Sequence, residues 1–194
     1  IVLMLQANIG LEPWSVLQQG MALRTGMTYG TASAIAGAAA ILTAVFFGES
    51  FGFGTIINIA GCAVIIDAIQ AAHLIPQMHG LVSGIAMLIG GLELLALGTW
   101  LYMKSALGSG PRDALMVALA RKFGRSAGAC RAVVDVLVTV IGFFLGGPVG
   151  VGTIISAVGL GPLINLNFAA VRFKPAEVHQ ENAAETIARI AGKR

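Results

Sequence analysis

Residues 52–61 read Gly-Phe-Gly-Thr-Ile-Ile-Asn-Ile-Ala-Gly, and residues 150–159 read Gly-Val-Gly-Thr-Ile-Ile-Ser-Ala-Val-Gly. The two stretches lie 98 residues apart, and the same shift extends outward from them without a gap. Gly48 meets Gly146, Gly30 meets Gly128, Gly26 meets Gly124, Leu17 meets Leu115 and Pro13 meets Pro111. Chance does not align that many glycines in one register. Two equivalent halves packed about a shared axis are a common plan for secondary transporters.

Both copies are membrane sequence. The chain is 57% hydrophobic and 11% charged, with a mean hydropathy of +0.86. A soluble domain carries about a quarter of its residues as charges, so lipid must cover much of this surface. Cys62 and Cys130 sit in apolar runs without metal-ligand spacing or a disulfide framework, and read as core thiols. Neither a nucleophile elbow nor a phosphate loop is present, so no enzyme, cofactor or metal is expected. The net charge of +3 comes from loops and tail and does not point to nucleic acid.

Five apolar segments are each long enough to span about 30 Å as a helix: 28–47, 54–74, 81–103, 126–146 and 152–172. Shifting 81–107 back by 98 predicts that residues 1–9 end a first span whose start precedes Ile1. The expected fold class is therefore an all-α membrane protein of six transmembrane helices. Its repeats are 1–80 and 81–173, followed by a cytoplasmic tail, 174–194, with Glu185 and Arg189 paired on a helix. Three spans per repeat is an odd number, so the two halves enter the membrane in opposite senses. The loop 104–125 holds Lys104, Arg112, Arg121, Lys122 and Arg125, whereas the loop 10–26 holds Arg24 alone. Basic loops stay inside, which predicts a cytoplasmic C-terminus in a bacterial inner membrane.

Residues 13–24 and 111–122 each open on proline, a favourable first helical residue, and are too short to cross. They read as amphipathic half-helices, either lying at the interface or dipping into the bundle toward a substrate path. The stretch Gly10-Leu11-Glu12-Pro13-Trp14-Ser15-Val16-Leu17-Gln18-Gln19-Gly20 resembles the Gly-x-x-Pro-Trp-Asp-x-Leu-x-x-Gly signature of bacterial YczE/YitT-type membrane proteins, in its YczE branch. The turns Gly52-Phe53-Gly54-Thr55 and Gly150-Val151-Gly152-Thr153 resemble that family's Gly-x-Gly-Thr turns. The resemblance covers residues 1–172 and implies a cell-membrane location and six helices, without a substrate. Ser15 stands where the signature has Asp, while the second copy, Gly110-Pro111-Arg112-Asp113, keeps it.

Ionisable groups inside a span cost roughly 2.5–3.5 kcal/mol unless paired or hydrated, and mark candidate sites. Glu93 lies mid-span with no partner within one turn. It is expected to point into the bundle toward Asp67 or Asn165 and to carry a proton or cation. Asp67 and its mate Asn165 suit either a solute path or hydrogen bonds tying the halves together. Arg131 and Asp135, four apart, share a helix face and suit an internal pair. Asn58 and its mate Ser156, with Thr55 and Thr153, put polar groups at two helix starts, where they would attract an anion or cap the helix. His73 and His79 read as loop residues. A small secondary transporter for a small molecule or ion is the leading reading. The alternatives are a non-transporting accessory or scaffold subunit, with a membrane-protein partner or a second copy of the chain, and the substrate-capture subunit of a multi-subunit importer. A polar cavity lined by both halves separates transport or capture from a scaffold, which should be packed solid there.

Overall fold

The computed structural model describes residues 1–108 and 110–173, and the expected tail 174–194 lies outside the described residues. Every element among the described residues is a helix: α1 (Val2–Gln6), α2 (Pro13–Thr25), α3 (Tyr29–Phe46), α4 (Phe53–Ala71), α5 (Leu81–Lys104), α6 (Pro111–Phe123), α7 (Ala127–Phe144) and α8 (Val151–Ala170). The apolar segments read from the sequence correspond to α3, α4, α5, α7 and α8. Of these, α3, α4, α5 and α8 are each long and apolar enough to cross a membrane. The pair Pro111–Phe123 and Gly128–Phe144 bends by 117° and makes a fifth span if taken as one unit. Residues 1–9, expected to end a first span, hold α1, five residues long.

Local chemistry sets the helix ends. Pro13 and Pro111 start α2 and α6, and Gly26 and Gly124 end them in the left-handed conformation. Thr28 and Ser126 cap α3 and α7 by accepting from Thr31 N and Ala129 N. The outward faces remain apolar: Leu42, Phe46, Val64, Ile65, Phe144 and Ile154 are all exposed. Such a surface is stable against lipid and costly against water.

The two short helices pack into the bundle to different degrees. In α2 the polar Ser15 and Gln18 are buried along with Trp14, Val16 and Ala22, and in α6 Ala114, Leu115, Met116 and Ala118 are buried. An amphipathic surface helix would leave its polar face wet, so for α2 that reading is corrected. Each packs against a long helix distant in sequence: α2 against α7, and α6 against α3. Glycines permit the α2–α7 approach. A Cβ on Gly142 would lie 2.5 Å from Leu17 N, and one on Gly147 would lie 2.1 Å from Val16 O. Trp14, Ala40, Leu115, Met116 and Val138 form the core where α2, α3, α6 and α7 meet. A second core joins α1, α5 and α8 through Met4, Ala7, Leu88, Leu92 and Leu160.

Two backbone contacts fasten the start of each Gly-x-Gly-Thr helix to a distant chain segment. Gly152 N donates to Ile9 O at 2.7 Å, and Gly54 N donates to Leu107 O at 2.9 Å. The second contact is the first with each partner moved by 98 residues. The glycines beside them match as well. Gly10 has φ +103° and Gly108 has φ +115°, facing Gly150 and Gly52 respectively. Gly108 is thus the geometric mate of Gly10, whereas Gly110 is the N-cap of α6.

Asp67 is accounted for within this frame. Its carboxylate accepts from Gly30 N at 2.7 Å and from Thr28 Oγ1 at 2.5 Å, and so anchors the start of α3 to α4. Both helices lie within residues 1–80, so these bonds do not reach residues 81–173. Asp67→Ala would strand the Gly30 N–H, at a cost of about 1–3 kcal/mol. A thermal melt in detergent indistinguishable from the unmodified protein would refute that anchoring role.

Candidate functional site

A cavity of about 350 Å³ opens between α2, α3, α4, α5, α6, α7 and α8, within the size range of small-molecule sites. Its polar wall holds Gln18, Ser33, Asn58, Thr99, Tyr102, Arg112, Asp113 and Arg131, and Ile1 forms part of the rim. Five pairs of lining residues stand 98 apart: Ile1 and Thr99, Trp14 and Arg112, Gln18 and Met116, Ser33 and Arg131, Cys62 and Leu160.

The chemistry is built on the starts of α2 and α6. Glu12, the N-cap of α2, is 2% exposed and takes Arg112 Nη1 on its Oε1 at 2.7 Å. Ser15 Oγ donates to the same oxygen at 3.1 Å. The Tyr29 hydroxyl lies 2.6 Å from Gln18 Oε1 and 2.9 Å from Ser15 Oγ. Ser15 therefore belongs to a buried network, a role an Asp beside Glu12 would oppose by like charge. The Arg112 guanidinium also lies over the Trp14 ring, 5.3 Å from its centroid. The Trp14 indole in turn donates to Asp135 Oδ1 at 3.2 Å, and Asp135 Oδ2 lies 3.5 Å from Arg131 Nε. Tyr102 donates to Asp113 Oδ2. One continuous polar chain therefore runs from Gln18 through Glu12, Arg112, Trp14 and Asp135 to Arg131.

The other candidates separate from this site. Glu93 does not line the cavity. Its Oε1 accepts from Asn167 Nδ2 at 2.9 Å, so its partner is Asn167 on α8 in place of the expected Asp67 or Asn165. Asn165 is exposed on the outer face of α8. Thr153 is buried and accepts from Gly150 N at 3.1 Å, which is helix capping. Thr55 is buried beside Gly108. Asn58 lines the cavity, but Ser156 is buried with no hydrogen-bond partner for its hydroxyl among the described residues. The described residues hold no group of three His, Cys, Asp or Glu side chains able to take a metal ion. Sequence reasoning passed over Glu12, Gln18, Tyr29, Tyr102 and Arg112 as site residues. For Arg112 a signal existed: its repeat mate is the signature residue Trp14.

The fold and this buried polar chain define a multi-pass membrane protein. The family described as "Family of unknown function (DUF6198)" matches residues 1–168, and the chain belongs to it. An uncharacterized protein of Haemophilus influenzae is 34% identical over 162 residues, covering 84% of this chain and 73% of that protein. The uncharacterized membrane protein YczE of Bacillus subtilis is 27% identical over 174 residues, covering 84% of this chain and 80% of that protein, so the family is YczE-type. No solved structure matches.

Proposed function

We propose that the protein is a small secondary transporter of a bacterial inner membrane, moving a small solute through the cavity between its two halves. The observation that carries this reading is the wall itself. Repeat mates from both halves line the same space, at five pairs of positions. A scaffold packed solid at its centre would not hold a cavity walled by two guanidiniums and a carboxylate. The architecture proposed with it is six membrane helices in two halves of opposite sense, with the C-terminus in the cytoplasm. The crosswise backbone contacts and the exchange of α2 onto α7 and α6 onto α3 support a two-fold relation between the halves. An odd number of spans per half turns that relation into an axis in the membrane plane.

Alternating access can be tested before any solute is known. With Cys62 and Cys130 replaced by serine, Ser33→Cys puts one thiol on the cavity wall. A membrane-impermeant maleimide is then applied to right-side-out and to inverted vesicles. Labelling from both sides is expected, because a transporter exposes its site alternately. Labelling from one side only, or from neither, would contradict the transport reading.

A further inference from the structure

The cavity wall also says which solute it suits, an inference that rests on the transport reading for its physiological meaning. Both signs of charge meet the same space. Arg112 is committed, through Nη1 to Glu12 and through its face to Trp14. Arg131 is not. Its only ion pair among the described residues is the 3.5 Å contact of Nε with Asp135, beyond the usual hydrogen-bond range, and its side chain is 40% exposed. A guanidinium carries five N–H donors in a fork that matches a carboxylate. No hydrogen bond among the described residues occupies those of Arg131. Asp113 places Oδ2 on the Tyr102 hydroxyl, and no hydrogen bond among the described residues reaches its Oδ1. The rest of the wall includes Ile59, Leu94, Met116 and Leu160, which can receive only an apolar group.

A simple anion drawn to Arg131 would meet the Asp113 carboxylate at the same sign. A simple cation drawn to Asp113 would meet two guanidiniums. A molecule carrying both charges uses both sets of free valences and leaves neither wall group unpaired. We infer that the cavity takes a small zwitterion of the α-amino acid type with an apolar side chain. Its carboxylate lies on Arg131, its ammonium on Asp113, and its side chain against Ile59, Leu94, Met116 and Leu160.

Three compounds sharing one carbon skeleton test this on the unmodified chain in proteoliposomes: L-leucine, 4-methylpentanoate, which lacks the ammonium, and 3-methylbutylamine, which lacks the carboxylate. L-Leucine is expected to bind at least about tenfold more tightly than either, because each partial ligand leaves one of the two charged wall groups unmatched. Asp113→Asn should bring L-leucine and 4-methylpentanoate to equal affinity, and Arg131→Gln should do the same for L-leucine and 3-methylbutylamine. The comparison on the unmodified chain stands even if a variant misfolds. Preference for either partial ligand, or binding of none of the three, overturns the assignment. L-Leucine bound with this selectivity but not taken up into the vesicles keeps the ligand class and removes the transport reading. Uptake of 4-methylpentanoate in preference to L-leucine keeps transport and removes the ligand class.

Discussion

Gly10→Ala is expected to lower the thermal midpoint in detergent by roughly 10 °C, corresponding to about 3 kcal/mol in a chain of this size. Two causes add. The φ of +103° at Gly10 disfavours any residue with a Cβ, at about 1–3 kcal/mol. The new methyl would also lie 2.5 Å from Gly150 N and 2.8 Å from its Cα, backbone atoms that cannot swing aside as a side chain tip can. Relief requires moving α8 away from Ile9, which breaks the Gly152 N to Ile9 O hydrogen bond. Gly108→Ala should cost a similar amount, since it meets Gly52 Cα at 2.5 Å with φ +115°. Gly26→Ala is the control. Its φ of +76° is also positive, but nothing lies within 4 Å of the added Cβ, so only the backbone cost of about 1 kcal/mol should appear. Equal effects at Gly10 and Gly26 would show that the close approach of the two segments contributes nothing.

The sequence carried this clasp in part. The glycines of the Gly-x-Gly-Thr turns were legible because a residue with no side chain, repeated at a fixed shift, signals backbone packed on backbone. The partner was not, because the contact joins Ile9 to Gly152 across most of the chain, and periodicity reports only local neighbours. The long helices were equally legible from their apolar runs, with α3 at Tyr29–Phe46 against the segment 28–47. The placement of α2 was not legible from its composition. Glu12, Ser15 and Gln18 look like a wet face until Arg112 and Tyr29 arrive from distant segments to satisfy them. Glu93 illustrates the same limit in reverse. Within one helical turn it has no partner, and Asn167 is found only when α5 packs on α8.

The two halves of the sequence differ in charge where they line the cavity. At the cavity the first contributes Trp14 and Ser33 where the second contributes Arg112 and Arg131, and Asp113 lines it while its counterpart Ser15 does not. A sequence that repeats at a shift of 98 residues therefore holds a charge pattern that does not repeat. A site with every charge doubled across a two-fold axis would set like charges against each other. Confining them to one copy lets the aromatic ring of the other carry the guanidinium face.

Arg112→Ala is expected to be more damaging than Glu12→Gln, although the two residues share one ion pair. The reason is their unequal burial. The Glu12 side chain is 3% exposed and that of Arg112 is 28% exposed. Removing Arg112 leaves a carboxylate out of contact with water, held among the described residues by the Ser15 hydroxyl at 3.1 Å alone. Stranding one member of a buried pair costs about 3–5 kcal/mol, and loss of the Trp14 contact adds to it. Glu12→Gln strands only Arg112, whose guanidinium reaches the cavity and keeps the indole face, so roughly 1 kcal/mol is expected. The double variant Glu12→Gln, Arg112→Ala should then be more stable than Arg112→Ala alone, because the neutral amide no longer requires a counter-charge. Thermal and denaturant unfolding of the four proteins closes a double-mutant cycle whose coupling should exceed about 1.5 kcal/mol. Additive losses across the cycle would mean that Glu12 and Arg112 do not interact in the folded protein, and the polar chain from Gln18 to Arg131 would be broken at its central link.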